Sequence, residues 1–387
     1  MESAKRLKKI PPYLFMELRN KIAQAQAAGI DVISLAIGDP VEPTPTPVVN
    51  ELARAGRDPA NHRYPTDEEK GMLAFRQAVA DWYATRYRVT LDPATEVLAL
   101  IGSKEGCHHF VLGRVNPGEP VLMTDPGYPA YRASILIAGG EPVNVPIRAE
   151  HGYLPRLADI PSDLARRASA MFLNYPNNPT GATATPAFLR EVAEFARHYD
   201  IAICYDNPYI EVVFDGEKPL SLMSIPGAKE VAVELNSFSK TFNMCGWRLG
   251  MAVGNPTIIA AMAQVKSNTD SGVFNPIQHA GIAGLRQCAD AVPAMLATYE
   301  RRRARFAETA RRIGWNCPLP KGTFYVWMPT PRGSSAEFAA ELFDKARVVV
   351  APGSAYGRCG EGYVRFSLTV PDDRLEEALR RIEQAFR

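Results

Sequence analysis

No two of the six cysteines (Cys107, Cys204, Cys245, Cys288, Cys317 and Cys359) form a Cys-x-x-Cys pair. Their scatter argues against a zinc site and, in a chain of 387 residues, against a disulfide framework. Small buried thiols in a reducing compartment are the expectation. No run approaches the roughly 20 apolar residues of a membrane helix. The basic start, Met1 to Pro12, has no apolar stretch behind it and does not read as a secretory signal. A cytoplasmic protein with no membrane attachment is expected. Charge of one sign is not in excess either, since 44 Lys and Arg face 42 Asp and Glu. A net charge of +2 provides no global field for nucleic acid or an anionic bilayer. Repeats and low-complexity runs are missing, and the 32 prolines and 28 glycines are spread as punctuation.

What remains is ordinary globular composition, 46% hydrophobic and 22% charged, long enough for a large domain with a smaller companion. The spacing predicts a helix over 11–29 ending at Gly29, then a short strand over Asp31–Ile37. Gly38-Asp39-Pro40 stops that strand, and an extended proline-rich crossing is expected from Pro40 to Pro47. A helix is predicted over Glu68–Tyr87. Strands and helices then alternate. Strands are expected at Val97–Ile101, Pro120–Thr124, Ala170–Asn174, Ile201–Tyr205 and Val231–Ser237; helices at Lys104–Val115, Tyr131–Gly139 and Pro186–Tyr199. Short, continuous apolar strands between helices signal a mostly parallel α/β sheet covered on both faces. Beyond about residue 285 come an Arg-rich helix (Asp290–Ile313), short strands near 323–328, 348–351 and 363–367, and a closing helix, Asp373–Phe386. The expected division is 1–44 as an arm and part of a small α+β domain, 45–285 as the large domain, and 286–387 as the rest of the small one.

Parallel strands deliver functional residues at their C-terminal ends. After Val97–Ile101 comes Gly102-Ser103-Lys104-Glu105-Gly106, whose amides at a helix start could cradle a phosphate. After Ala170–Leu173 comes Asn174-Tyr175-Pro176-Asn177-Asn178-Pro179-Thr180-Gly181. After the next strand stand Asp206 and Tyr209, and after Val231–Leu235 stand Ser237, Lys240 and then Arg248. Taken singly, Asn178-Pro179 could be a turn, Asp206 a helix cap and Lys240 a solvated charge. Together they would be four coincidences on one sheet edge.

In order and spacing, Asn178-Pro179-Thr180-Gly181, Asp206 with Tyr209, Ser237-x-x-Lys240, Arg248 and Arg365 resemble the class I/II aminotransferases across essentially the whole chain. That resemblance implies the fold of the fold type I pyridoxal-phosphate-dependent transferases: a mostly parallel seven-stranded sheet sandwiched by helices, plus a smaller α+β domain. It implies pyridoxal 5′-phosphate as cofactor, with no metal, and ping-pong transfer of an amino group from an α-amino acid to a 2-oxoacid. Lys240 would form the Schiff base and move the substrate Cα proton. Asp206 would face the pyridine nitrogen; Tyr209 and Asn178 would hydrogen-bond O3′; Tyr128 would stack on the ring. Ser103, Lys104, Ser237 and Arg248 would hold the phosphate. Tyr64 would reach it from a neighbouring subunit, making a homodimer with shared active sites. Arg365 would clamp the substrate carboxylate, with Gly38 letting it approach the backbone and with Asn178 and Lys104 also lining the substrate pocket.

Within the family the chain resembles LL-diaminopimelate aminotransferases, through Arg6–Phe15, Ile101–Gly106, Tyr175–Gly181, Asn243–Arg248 and Asp270–Phe274. It departs from them at Tyr64–Gly71, Asn207-Pro208 and Asn275-Pro276, where the pocket should be lined. A relative with a different amino donor, in a specialised branch of amino-acid metabolism, is one implication. A pyridoxal-phosphate lyase or a β/γ-replacement enzyme would share the same motifs and stays open. A DNA-binding regulator on this fold lacks the basic module it would need. His108 and His109 read as packing, Cys245 likewise, and Arg301, Arg302, Arg303 and Arg305 as a solvated helix face.

Overall fold

A strand covered on both faces must alternate its side chains between two cores, and the central strands do so residue by residue. The structure, a computed structural model, describes residues 4–10, 14–65, 67 and 69–387; residues 11–13, 66 and 68 of the segments above lie outside the described residues. In chain order the strands are Ile33–Ser34 (β1), Val97–Leu100 (β2), Pro120–Asp125 (β3), Glu141–Pro146 (β4), Ala170–Leu173 (β5), Ala202–Asp206 (β6), Ala232–Ser237 (β7), Gly250–Gly254 (β8), Tyr325–Pro329 (β9), Val348–Val349 (β10), Ala351–Pro352 (β11) and Tyr363–Ser367 (β12).

Among the described residues, seven strands form one sheet in the order β2-β8-β7-β6-β5-β3-β4, with β8 alone running against the others. In β2, Leu98 and Leu100 enter one core while Val97 and Ala99 enter the other; Phe172 and Met171 split the same way in β5. This two-sided burial is why these strands read as unbroken apolar runs. The Ser103–Arg114 and Pro256–Ser267 helices cover one face, and the Leu73–Tyr87 and Pro186–Tyr199 helices the other. A smaller antiparallel sheet, β11-β12-β9, stands beside a parallel β1-β10 pair. Ile33 and Leu35 share a third core with Val326, Val348, Phe366 and Leu379, so N-terminal residues complete the C-terminal unit.

Several expected elements differ. The Asp31–Ile37 strand pairs as a ladder only at Ile33–Ser34, because the chain changes partners. Leu35 N–H donates to the Val349 carbonyl at 2.8 Å, while the Leu35 carbonyl accepts from Ser367 N–H at 2.6 Å. The proline-rich crossing ends early, as Pro47 sits in the first turn of a Thr46–Gly56 helix, where its missing N–H costs nothing. β4 and β8 escaped the sequence reading. The first is an exposed edge strand carrying Pro142 and Pro146, and the second is a short stretch bounded by glycines. The helices Thr46–Gly56, Pro256–Ser267 and Asn275–Gln287 were also not anticipated. No described helix is long and apolar enough to cross a membrane.

The arginine cluster is corrected at two of its four members. Arg302 and Arg303 are buried. Arg302 donates to Asp372 Oδ1 (2.6 Å), to the Leu368 carbonyl (3.1 Å) and to Glu42, while Arg303 pairs with Asp215. Near-neutral net charge does not exclude internal ion pairs, which local partners decide. Replacing Arg302 with Ala should lower stability by about 2 kcal/mol, as charged hydrogen bonds are lost. Arg301→Ala, at an exposed pair with Asp372, should cost less than about 0.5 kcal/mol. The thermal midpoints of the two variants check this contrast.

Candidate active site

The C-terminal ends of β2, β3, β5, β6 and β7 lie on one edge of the sheet and supply Ser103, Tyr128, Asn178, Asp206 and Ser237 in turn. Because β8 runs the opposite way, its start at Gly250 meets the same edge, paired with Leu100 and Ser237. That reversal brings Arg248 beside the others. They surround a cavity of about 500 Å³ whose described lining carries five cationic side chains (Arg19, Lys104, Lys240, Arg248, Arg365) against two carboxylates (Asp39, Asp206). Such a lining favours an anion.

The cup at one end is built from backbone. Gly102 caps the Ser103–Arg114 helix with φ +78 and no side-chain cap, so the first amides of the helix stay directed outwards. A Cβ at Gly102 would come within 2.3 Å of the Arg248 guanidinium, so only glycine permits this approach. Arg248 donates to the Ile101 carbonyl (3.3 Å) and the Cys245 carbonyl (2.9 Å), which fixes it over the turn. Ser237 caps the short Phe238–Thr241 helix that carries Lys240. Lys240 Nζ donates to the Gly38 carbonyl at 2.8 Å and lies 3.2 Å from Cys245 Sγ.

Asp206 ends β6 fully enclosed. Tyr131 donates to its Oδ2 at 2.7 Å, while Oδ1 is buried with no hydrogen-bond partner among the described residues. Burial pushes its carboxyl up to about 6, opposed by Tyr131 and Ser103. Opposite, Arg365 on β12 is fully buried. Its guanidinium donates to Asn178 Oδ1 (2.7 Å) and the Ala36 carbonyl (2.6 Å) and stacks on the Tyr325 ring at 3.9 Å. The Tyr325 hydroxyl is 3.0 Å from that of Tyr209, whose own ionisation is driven well up by burial. Gly38 packs on this hydroxyl, and a Cβ there would meet it at 1.8 Å.

Of the residues singled out from sequence, Gly38, Ser103, Lys104, Tyr128, Asn178, Asp206, Tyr209, Ser237, Lys240, Arg248 and Arg365 line the cavity, and Tyr64 does not. Tyr64 is 78% exposed on the surface of the chain. Sequence reasoning missed Tyr131, Tyr325 and Asn174. Asn174 accepts the Asn178 N–H and donates to the Asp206 carbonyl, tying two strand ends together. It stood at the head of the quoted turn, whereas Tyr131 and Tyr325 lie in apolar surroundings that read as core. Cys245, read as packing, packs on the Lys240 amine and forms part of the cavity wall.

The site fits pyridoxal 5′-phosphate: an amine, a buried carboxylate oxygen awaiting a proton-bearing partner, and an amide cup beside an arginine. Without cofactor, that carboxylate carries a cost. Its raised pKa means stability is greatest with Asp206 protonated and falls as pH rises from 3.8 to about 6. Cofactor-free Asp206→Asn should therefore melt higher than the parent above pH ~6, by on the order of 2 kcal/mol, with the gap closing towards pH ~4. Melting curves across pH check this.

The comparisons agree with the geometry. The family model described as "Aminotransferase class I and II" matches residues 30–382. The chain is 50% identical to an LL-diaminopimelate aminotransferase of Moorella thermoacetica over 99% of this chain and 98% of the relative. It is 49% identical to one of Desulforudis audaxviator over 98% and 96%. Among solved structures, substrate-bound BacF from Bacillus subtilis superposes with a TM-score of 0.95 at 36% identity, covering 99% and 98% of the two chains. A probable N-succinyldiaminopimelate aminotransferase from Thermus thermophilus gives 0.90 at 34% identity, covering 96% and 100%. None of these lends support to the lyase or replacement alternative. The chain thus belongs to the class I and II aminotransferases, the pyridoxal-phosphate enzymes that move an amino group from an amino acid to a 2-oxoacid.

Proposed function

We propose that this enzyme takes its amino group from LL-diaminopimelate and passes it to 2-oxoglutarate, working as a homodimer. The observation that carries the donor is the name shared by full-length relatives at 47–50% identity. The cavity suits an amino acid that is zwitterionic at both ends, since beside Arg365 its wall offers Arg19, Asp39 and Lys104 as further charges. The dimer reading rests on Tyr64, assigned to the cofactor phosphate from sequence yet exposed on its own chain, and on the exposed rings and aliphatics Phe274 and Leu73.

Pyridoxal phosphate supplies an aldehyde and a ring that accepts electrons from the substrate Cα. The chain's residues do the rest. Ser103, Lys104, Ser237 and Arg248 would hold the dianionic phosphate and so anchor the cofactor. Asp206 Oδ1 would keep a proton at the pyridine nitrogen, with Tyr131 orienting that carboxylate. Tyr209 and Asn178 would orient the ring oxygen, and Tyr128 would cover a face. Lys240 Nζ would take the proton from the substrate Cα and return it to the carbon on the far side of the amino nitrogen, an acid–base role that needs a mobile amine near the reacting carbon. Arg365, already planar against Tyr325, grips the substrate α-carboxylate with two parallel donors.

Two measurements test this reading. With 2-oxoglutarate as acceptor, LL-diaminopimelate should give a higher kcat/KM than aspartate, alanine or an aromatic amino acid. A better donor among them would replace it. Arg365→Lys should raise KM for every α-amino acid about tenfold or more through loss of the paired donors, with kcat changed less. An unchanged KM would remove Arg365 from the substrate.

A further inference from the structure

Behind the anion cup, four ionisable side chains pack together where no step of the reaction uses them. Lys266, on the Pro256–Ser267 helix, is fully buried, and its Nζ donates to Glu105 Oε1 at 2.7 Å and to Asp270 Oδ1 at 2.9 Å. His109 lies alongside, with Nδ1 3.2 Å from Glu105 Oε1 and Nε2 3.8 Å from Asp270 Oδ2. Glu105, His109 and Asp270 converge as cation ligands do, yet the Lys266 ammonium is already bonded to both carboxylates. The chain supplies the cation itself. Burial lifts Glu105 to about 7 against the pull of Lys266, and burial with Lys266 beside it lowers His109 to about 4.

The second oxygen of Glu105 connects this cluster to the cup. Glu105 Oε2 accepts the Ile101 N–H at 2.6 Å, and the Ile101 carbonyl accepts from Arg248 at 3.3 Å. The backbone entering Gly102 and Ser103 is therefore held from both sides, by a carboxylate and by a guanidinium. Asp270 does similar work further on, where Oδ1 accepts the Gly272 N–H at 2.9 Å.

Resting on the reading of the cup as the phosphate site, we propose that Lys266 is a positioning residue: it fixes Glu105 and, through it, the Ile101–Ser103 turn, so that the cup is preformed for the cofactor phosphate. Without the ammonium, two carboxylates face each other in a buried setting. They repel or take up a proton, and Ile101 N–H loses its fixed acceptor. A cup that must be ordered during binding binds less tightly than one held ready.

The test is the affinity of the cofactor-free, full-length protein for pyridoxal phosphate and, separately, for pyridoxal, which lacks the phosphate. Lys266→Met should raise the Kd for pyridoxal phosphate about tenfold while leaving that for pyridoxal within about twofold. Lys266→Arg, which keeps a cation, should recover part of the loss. An unchanged Kd for pyridoxal phosphate, or equal weakening of both ligands, overturns the proposal. Should Lys266→Met fail to fold, Glu105→Gln carries the same test. It keeps an acceptor oxygen but loses the charge that Lys266 fixes, and the same phosphate-selective weakening is expected; an unaltered ratio of the two Kd values overturns the role. Parental protein that binds pyridoxal phosphate no better than pyridoxal would refute the phosphate cup itself. A parental preference that persists in the variants refutes only the part played by Lys266.

Discussion

A buried carboxylate with one oxygen left without a hydrogen bond is the constraint around which this molecule is arranged. Asp206 stands at the end of β6, the middle strand of the large sheet, where water cannot solvate it. Burying such a group costs several kcal/mol unless it is protonated or partnered. Tyr131 satisfies one oxygen and fixes its direction; the other has no hydrogen-bond partner among the described residues. The surrounding strands have to be rigid and buried on both faces for the carboxylate to stay there.

The segment after β1 joins the two halves of the chemistry. Lys240, delivered by the large sheet, bonds the carbonyl of Gly38, and Arg365, delivered by the small sheet, bonds the carbonyl of Ala36. Amine and guanidinium are thus referenced to the same three residues of backbone. Gly38 must lack a side chain because the Tyr325 hydroxyl fills that space. The cavity wall thus carries Arg248 beside the amide cup and Arg365 from the small sheet.

Much of this was legible in the linear chain, for physical reasons that differ from residue to residue. Strands buried on both faces leave continuous apolar runs, so β3, β5, β6 and β7 were readable, and the polar residues just beyond them marked the working edge. Lys240, Asp206 and Asn178 stood out because polar groups at strand ends are unusual in combination, while Arg365, in the middle of β12, was marked only by the family resemblance. β4 and β8 were not legible, since an edge strand with prolines and a short glycine-bounded strand carry little signal of their own. Tyr131 and Tyr325 were lost among core aromatics, as a hydroxyl's partner is a matter of tertiary placement. Arg302 and Arg303 misled because a charge run looks the same whether its partners are water or Glu42, Asp372 and Asp215.

The chemistry turns on one amine. Borohydride reduction of the protein loaded with pyridoxal phosphate, followed by peptide mass mapping, reads directly which lysine the cofactor engages. A cofactor-sized mass increment confined to the peptide carrying Lys240, and lost when an amino acid donor is added first, is the predicted result. An increment on Lys104, Lys266 or any other lysine, with Lys240 unmodified, would contradict it.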